Sequence, residues 1–366
     1  MKILYGIPSE GMGHATRSKV LIQHLIELGH EVCIATSDRA LTLMETHFPG
    51  QTFAIEGIHL SYELGSVDKS KTAKEWLKVL PKQMRTNFKQ FYKLHQNFVP
   101  DVVISDFESF TYTFAKLHQI PILSIDNMQI LNRANLDLEL TQEQKVSYLL
   151  AKSIVKSKLP YCHQYLITSF FECELSKKKT QIIPAILRPE ILAAKKKTTN
   201  GRHILVYQTA NTQNDLISTL QQLKTHQFRV YGINKDEVHD NVTLKSFSEA
   251  GFIQDLASCA FVITNGGFSL ISEAVYLHKP VCAFPLNGQF EQWLNAYMIQ
   301  KVAYGRIFES FSADAIKAFI YDIKEFKSNV VNYTQDGNQI LFSKVSEFLT
   351  QYQTEAQDQE DVEDVE

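Results

Sequence analysis

The sequence predicts an α/β protein made of two doubly wound parallel-sheet domains, and three observations carry that prediction. Short β-branched apolar runs alternate along the chain with longer stretches of helical spacing, as successive βα units require. Each short run is continuously apolar instead of alternating with polar residues, which suits strands covered on both faces. The series begins twice, at Lys2 and again at His203, on either side of a lysine-rich join.

In chain order, KILYGIP, HEVCIAT, DVVISD, PILSID and YLIT read as the strands of the first series. ATRSKVLIQHLIELG and SFTYTFAKLHQ lie between them, with apolar residues three and four apart, the spacing of a helix with one buried face. After QIIPAI the segment LRPEILAAKKKTTNGR passes Pro189, three consecutive lysines and Asn200-Gly201, a composition that favours a break between domains. HILVYQT, FRVYG, AFVIT and PVCAFP then supply strands, and SLISEAVYLH and QWLNAYMIQK supply helices. The expected division is an N-terminal domain over 1–190, a linker over 191–200 and a C-terminal domain over 201–350. The last twelve residues, EAQDQEDVEDVE, hold seven acids and no base. Self-repulsion on that scale predicts a disordered acidic tail over 351–366.

Composition bounds the partners. At 366 residues, 44% apolar and 21% charged, the chain has material for two ordinary cores, since a domain takes about 100–200 residues. The net charge is −3; without the seven terminal acids, 37 bases face 33 acids and the body carries +4. That is too little for a nucleic-acid footprint. No apolar run approaches the length of a membrane span, the opening residues lack a secretory pattern, and the five cysteines never form a CxxC pair. A cytoplasmic location with reduced core thiols is the expectation. The segment 68–93 carries eight lysines and arginines among Trp76, Leu77, Leu80, Met84, Phe88, Phe91 and Tyr92, with Pro81 as a kink. It reads either as a core-facing helix with a solvated cationic side, or as a helix resting peripherally on an anionic membrane at the inner face of the cell envelope.

Two stretches hold the candidate chemistry. The first strand runs into Ser9-Glu10-Gly11-Met12-Gly13-His14-Ala15-Thr16-Arg17-Ser18. Gly11 and Gly13 let the backbone approach a ligand at a helix start. A dinucleotide fingerprint would need a third Gly or Ala where Thr16 stands, and no acid closes the second strand before Asp38. His14, on the first turn of the helix, suits a general base; Glu10 is the rival base, and a surface histidine without a role is the plain alternative. Asp106 ends DVVISD at the same sheet edge, where it either orients His14 or caps the next helix. In the second half, strand AFVIT runs into Asn265-Gly266-Gly267-Phe268-Ser269, with Glu273 in the following helix. A glycine pair at a helix start cradles a diphosphate, and the carboxylate beyond it can accept two ribose hydroxyls. Glu291 and Gln292 open the next helix, either as capping residues or as partners for sugar hydroxyls.

The order GlyGly, Glu, Pro, Glu-Gln, Leu-Asn-Ala resembles the nucleotide-sugar signature of GT-B glycosyltransferases. It is similar to the UDP-glycosyltransferase superfamily and to the bacterial transferase that adds N-acetylglucosamine to lipid I, in a branch with a GEGxGHATRS-like N terminus. The resemblance spans Ile3 to about Gly305 and is strongest at Gly11–Ser18, Ser105–Pro121 and Phe252–Ala296. It implies two Rossmann-like domains facing a cleft, with His14 as base and Asp106 as its partner. It further implies diphosphate contacts at Gly266, Gly267, Phe268 and Ser269, ribose at Glu273, donor sugar at Glu291 and Gln292, uracil at Phe252 and a phosphate-touching loop at Thr209. The plant-type signature has histidine where this chain has Asn265, and two further residues, in LNGQF, precede Glu291. The implied reaction is an inverting, metal-independent transfer from a nucleotide sugar, with no other cofactor, to a hydroxyl acceptor such as a cell-envelope lipid or glycan. Asp137-x-Glu139, the nearest thing to a metal-binding Asp-x-Asp, lies in a polar stretch that reads as helical. The alternatives are a nucleotide-sugar 2-epimerase on the same scaffold and a non-catalytic nucleotide-sugar-binding protein.

Overall fold

The computed structural model of the chain describes residues 1–9, 12–56, 62–63, 66–67, 82, 84–93, 96, 98–208, 215–335 and 337–363. They form two compact units, one from the described parts of 1–61, 69–186 and 337–366, the other from those of 62–68 and 187–336.

The sheet of the first unit has seven strands, in the order Thr180–Pro184, Gln164–Ser169, Ile122–Asp126, Val102–Ser105, Lys2–Gly6, Glu31–Thr36, Thr52–Ala54. All neighbours are parallel. The chain starts in the middle at Lys2–Gly6, winds outward to Thr52–Ala54, and returns to the other side of its starting strand at Val102–Ser105. That reversal leaves a crevice beyond the carboxyl ends of Lys2–Gly6 and Val102–Ser105, the place where open parallel sheets bind ligands. The helix Met12–Glu27 follows the first strand and buries Ala15, Leu21, Ile22 and Leu25 against it. A helix over 84–93 turns Phe88 and Phe91 toward Phe110 and Phe114, with ring centroids 5.4 Å apart for Phe88–Phe110 and 4.8 Å for Phe91–Phe114. The described part of the basic segment therefore faces the core, while 68–81 lies outside the described residues.

The second unit repeats the plan. Its sheet runs Glu237–His239, Val242–Leu244, Gln227–Tyr231, His203–Tyr207, Val262–Thr264, Val281–Ala283, Gly305–Ile307, parallel except for the first pair. The reversal lies between His203–Tyr207 and Val262–Thr264, where Tyr207 is level with Thr264.

Three boundaries differ from the sequence expectation. The expected linker at 191–200 is packed structure: Pro189–Ala194 is a helix with buried Ile191, Lys195 donates to the Tyr276 carbonyl, and Lys279 donates to the Thr199 carbonyl. The second unit gives way before 350, because Gly337–Glu363 forms one helix belonging to the first unit. Leu341, Val345, Phe348 and Leu349, at the i, i+4, i+7, i+8 positions of one helical face, join Ile3, Tyr5 and Ile34 in its core. Of the tail expected to be disordered over 351–366, the described part, 351–363, continues that helix, which a stretch rich in Gln and Glu can propagate once an apolar stripe has anchored its start. Asp137 and Glu139 likewise precede the helix Gln142–Lys158 instead of lying in it. Cys33, Cys162, Cys259 and Cys282 are buried free thiols and Cys173 is partly exposed. Among the described residues, no helix is long and apolar enough to cross a membrane.

Candidate functional site

At the first reversal the structure gathers His14, Arg17, Ser18, Asp106 and Asn127. The strand Val102–Ser105 ends at Asp106, and Phe107, at φ 62° in the left-handed region, turns the chain sharply after it. Capping of the next helix falls to Glu108, whose carboxylate accepts from the Phe110 and Thr111 amides at 2.6 and 2.7 Å. Asp106 is thus freed from the capping role and is 1% exposed. His14 Nδ1 lies 2.8 Å from Asp106 Oδ1. Arg17, one helical turn further along, donates from Nε to Oδ2 at 2.8 Å and from Nη2 to Oδ1, while Ser18 Oγ donates to Oδ2 at 3.0 Å. Arg17 Nη1 also reaches Asn127 Oδ1 at 2.8 Å.

Burial alone raises the Asp106 carboxyl; the Arg17 guanidinium and the His14 ring outweigh it and hold the group well below the usual carboxylate range. Asp106 is consequently ionised and acts only as an acceptor, so His14 presents Nδ1–H to it and keeps the lone pair on Nε2. Arg17 Nη2 lies equally near Nδ1, at 2.8 Å, and in this tautomer directs its N–H to Asp106 Oδ1 instead. Asp126, at the end of the neighbouring strand, responds differently: burial, and then the charge of Asp106, push it up to about 6 against the Gln129 amide, Arg17 and the Ser124 hydroxyl.

Arg17, Ser18 and Asn127 carry roles that the residue patterns did not assign. The signal was present in the spacing, since positions three and four beyond His14 lie on its face of the helix. Ser9, three residues beyond the first strand, and Thr36 and Ser37, at the end of its neighbour, hold buried hydroxyls that lack a partner among the described residues.

At the second reversal the machinery is main chain. Gly266 has φ +96°, and a Cβ there would sit 2.5 Å from the Gln292 carbonyl oxygen. Asn295 Nδ2 donates to the Gly266 carbonyl at 3.0 Å, and Gln292 Oε1 accepts from the Leu286 amide at 3.0 Å. The turn thereby brings Glu291-Gln292, at the start of the helix Phe290–Lys301, beside Gly266-Gly267. Gly267 is the N-cap of the helix Phe268–Tyr276, supplies no side-chain cap, and would meet nothing within 4 Å if it carried a Cβ. The space beside Gly267 at the start of that helix is therefore open, and Ser269, half-buried, lies next to it. Asn265 instead spends its amide on the Phe284 carbonyl at 3.1 Å, linking neighbouring strands.

Glu273 is 6% exposed, and each of its oxygens accepts from Arg188, Nε and Nη2 both at 2.7 Å; Arg188 Nη1 reaches Glu249 at 2.7 Å. Burial pushes the Glu273 carboxyl up and Arg188 offsets this only in part. Phe252 is buried, with its ring edge toward Tyr207 and Tyr231 at 5.5 and 5.1 Å. Glu10, Gly11 and Thr209 lie outside the described residues.

The sequence matches the family described as glycosyl transferase family 1 over residues 1–324. The chain belongs to that family. The glycosyltransferase is 24% identical over 340 residues to an uncharacterized glycosyltransferase of Methanosarcina acetivorans, covering 84% of this chain and 85% of the relative. It is 28% identical over 335 residues to one of Methanosarcina mazei, covering 84% and 85%. Among solved structures, Phytolacca americana UGT2 complexed with UDP-2fluoro-glucose and pterostilbene matches with TM-score 0.66 at 15% identity, covering 96% of this chain and 100% of that one. A UDP-glucose: anthocyanidin 3-O-glucosyltransferase in complex with UDP matches with TM-score 0.65 at 14% identity, covering 93% and 94%. At those identities the likeness shows the fold, which is GT-B, two parallel-sheet α/β domains.

Proposed function

We propose that this glycosyltransferase moves a sugar from a UDP donor to an acceptor hydroxyl, with inversion and without a metal. The observation that carries the reading is the His14–Asp106 pair: an ionised, buried carboxylate fixes the imidazole with its lone pair on Nε2, as a general base requires. The acceptor O–H gives its proton to Nε2. Its oxygen forms a bond to the anomeric carbon from the side opposite the leaving group, and the bond to the diphosphate breaks, UDP taking the electron pair. The imidazolium so formed is stabilised by Asp106.

Charge gathers on the departing diphosphate, and the open space beside Gly267 at a helix start supports a role for Gly266, Gly267, Phe268 and Ser269 in stabilising it. Glu273, held by Arg188, offers its remaining lone pairs to the ribose. Glu291 and Gln292 meet the sugar hydroxyls, Phe252 contributes backbone contacts to the uracil, and the Thr209 loop touches the phosphates. The UDP and UDP-sugar in the matched structures support the donor class. The unpartnered hydroxyls of Ser9, Thr36 and Ser37 support a polar acceptor, and the lysines of 68–93 support one displayed at an anionic surface, such as a cell-envelope lipid or glycan at the inner face of the membrane.

A thermal-shift screen of nucleotide sugars tests the donor: a UDP-sugar raises the melting temperature most, by mass action. With that donor and no acceptor, slow hydrolysis at most is expected. Conversion into a second UDP-sugar identifies an epimerase instead, and loss of all turnover on chelation overturns the metal-independent route. Sedimentation with anionic liposomes at low and high salt tests the surface; no binding at either removes the membrane-displayed acceptor.

A further inference from the structure

Gln208 is the first residue beyond the strand His203–Tyr207, and the parallel register that sets Tyr207 level with Thr264 sets Gln208 level with Asn265, one residue before the Gly266 turn. Its backbone is pinned. The Gln208 amide donates to the Tyr231 carbonyl at 3.2 Å, and its own carbonyl lies so close to Gly232 that a Cβ there would fall 1.8 Å away. The side chain is 3% exposed, yet its Nε2 has no acceptor among the described residues. Leaving a buried donor unpaired is costly, so such groups mark either a defect or a missing partner. Gln208 thus stands at the carboxyl-end reversal of the sheet, where the neighbouring strand leads into the start of the helix Phe268–Tyr276, open at Gly267.

We infer that Gln208 is a donor-binding residue whose Nε2–H donates to a diphosphate oxygen of the nucleotide, completing with a neutral side chain the anion site that the Gly266-Gly267 turn begins. This rests on the nucleotide-sugar reading above. A neutral amide adds a directed hydrogen bond without raising the positive charge of the site, so the charged product can still leave.

The test is calorimetric titration of the full chain and its Gln208→Leu, Gln208→Asn and Gln208→Glu variants with UDP, and with uridine in competition. Loss of one hydrogen bond to a charged oxygen is expected to weaken UDP about tenfold to a hundredfold in the leucine variant. The glutamate variant should lose more, and uridine should bind all forms alike. The ligand-free leucine variant should melt at or above the parent temperature, because it no longer buries an unpaired donor. UDP affinity equal to the parent in all three variants overturns the assignment and leaves the donor reading intact. A lower ligand-free melting temperature with equal losses of UDP and uridine shows a structural role and also overturns it. Failure of the parent to bind UDP overturns both readings.

Discussion

The two reversals of the chain share a topology and differ in substance. In the first unit the crevice is built from ionised side chains: Asp106 accepts from Arg17, Ser18 and His14 in a nearly dry setting. In the second unit the crevice is built from backbone: a left-handed Gly266, an unhindered Gly267 and the start of one helix. The contrast follows from the work each edge is suited to. Moving a proton demands a side chain whose tautomer is held by a neighbour, and only a buried charge holds it firmly enough. Stabilising a leaving anion demands fixed dipoles that need no proton of their own, and main-chain amides supply them without side-chain entropy.

Removing the proton acceptor should open the widest gap between the two edges. His14→Ala is expected to lower kcat about 10²–10⁴-fold while UDP affinity, measured by titration, stays at the parent value; an unchanged kcat would transfer the role to Glu10. Next in size is Arg188→Ala, which leaves Glu273 buried without its counter-ion and should cost about 3–5 kcal/mol in chemical denaturation. Glu273 is already raised by burial, so the loss should be larger at pH 8, where the unpaired carboxylate is charged, than at pH 5. A loss that does not change with pH would show that packing, not charge, is what Arg188 supplies.

Gly266→Ala probes the backbone edge. Left-handed φ in a non-glycine residue costs about 1–3 kcal/mol, and the new Cβ would press on the Gln292 carbonyl. The expected result is weakened UDP binding with the first unit's chemistry intact; full UDP affinity would detach this turn from the donor. The smallest effect sharpens the ionic edge. Asp126 is pushed up to about 6, above its unfolded value, so the native state prefers it protonated and loses stability as pH rises from about 4 through 6. Asp126→Asn should therefore raise the melting temperature at pH 7.5 and leave it nearly unchanged at pH 4; an equal gain at both would show that the carboxylate carries no penalty.

The central strands were legible because burial on both faces makes them unbroken apolar runs, as in ILY, VVI and ILV. Thr52–Ala54 and Gly305–Ile307 escaped because Thr52 and Arg306 leave no unbroken apolar run, and Thr180–Pro184 because its proline reads as a break. His14 and Asp106 were legible because a strand end fixes where a residue sits, whatever its neighbours. Arg17 was not, because its meaning depends on a carboxylate 89 residues away. Glu273 was legible as a carboxylate in the helix but not as one already forked to Arg188, a residue that sequence order placed at a domain join.

The helix Gly337–Glu363 has a consequence for how the protein is made. The first unit has all seven strands translated by Pro184 but lacks Leu341, Val345, Phe348 and Leu349, which close one side of its core. The strands of the second sheet, from His203 to Ile307, are all synthesised before those four residues. On the ribosome the second sheet can form first, leaving the first with an oily flank until Leu349 has emerged.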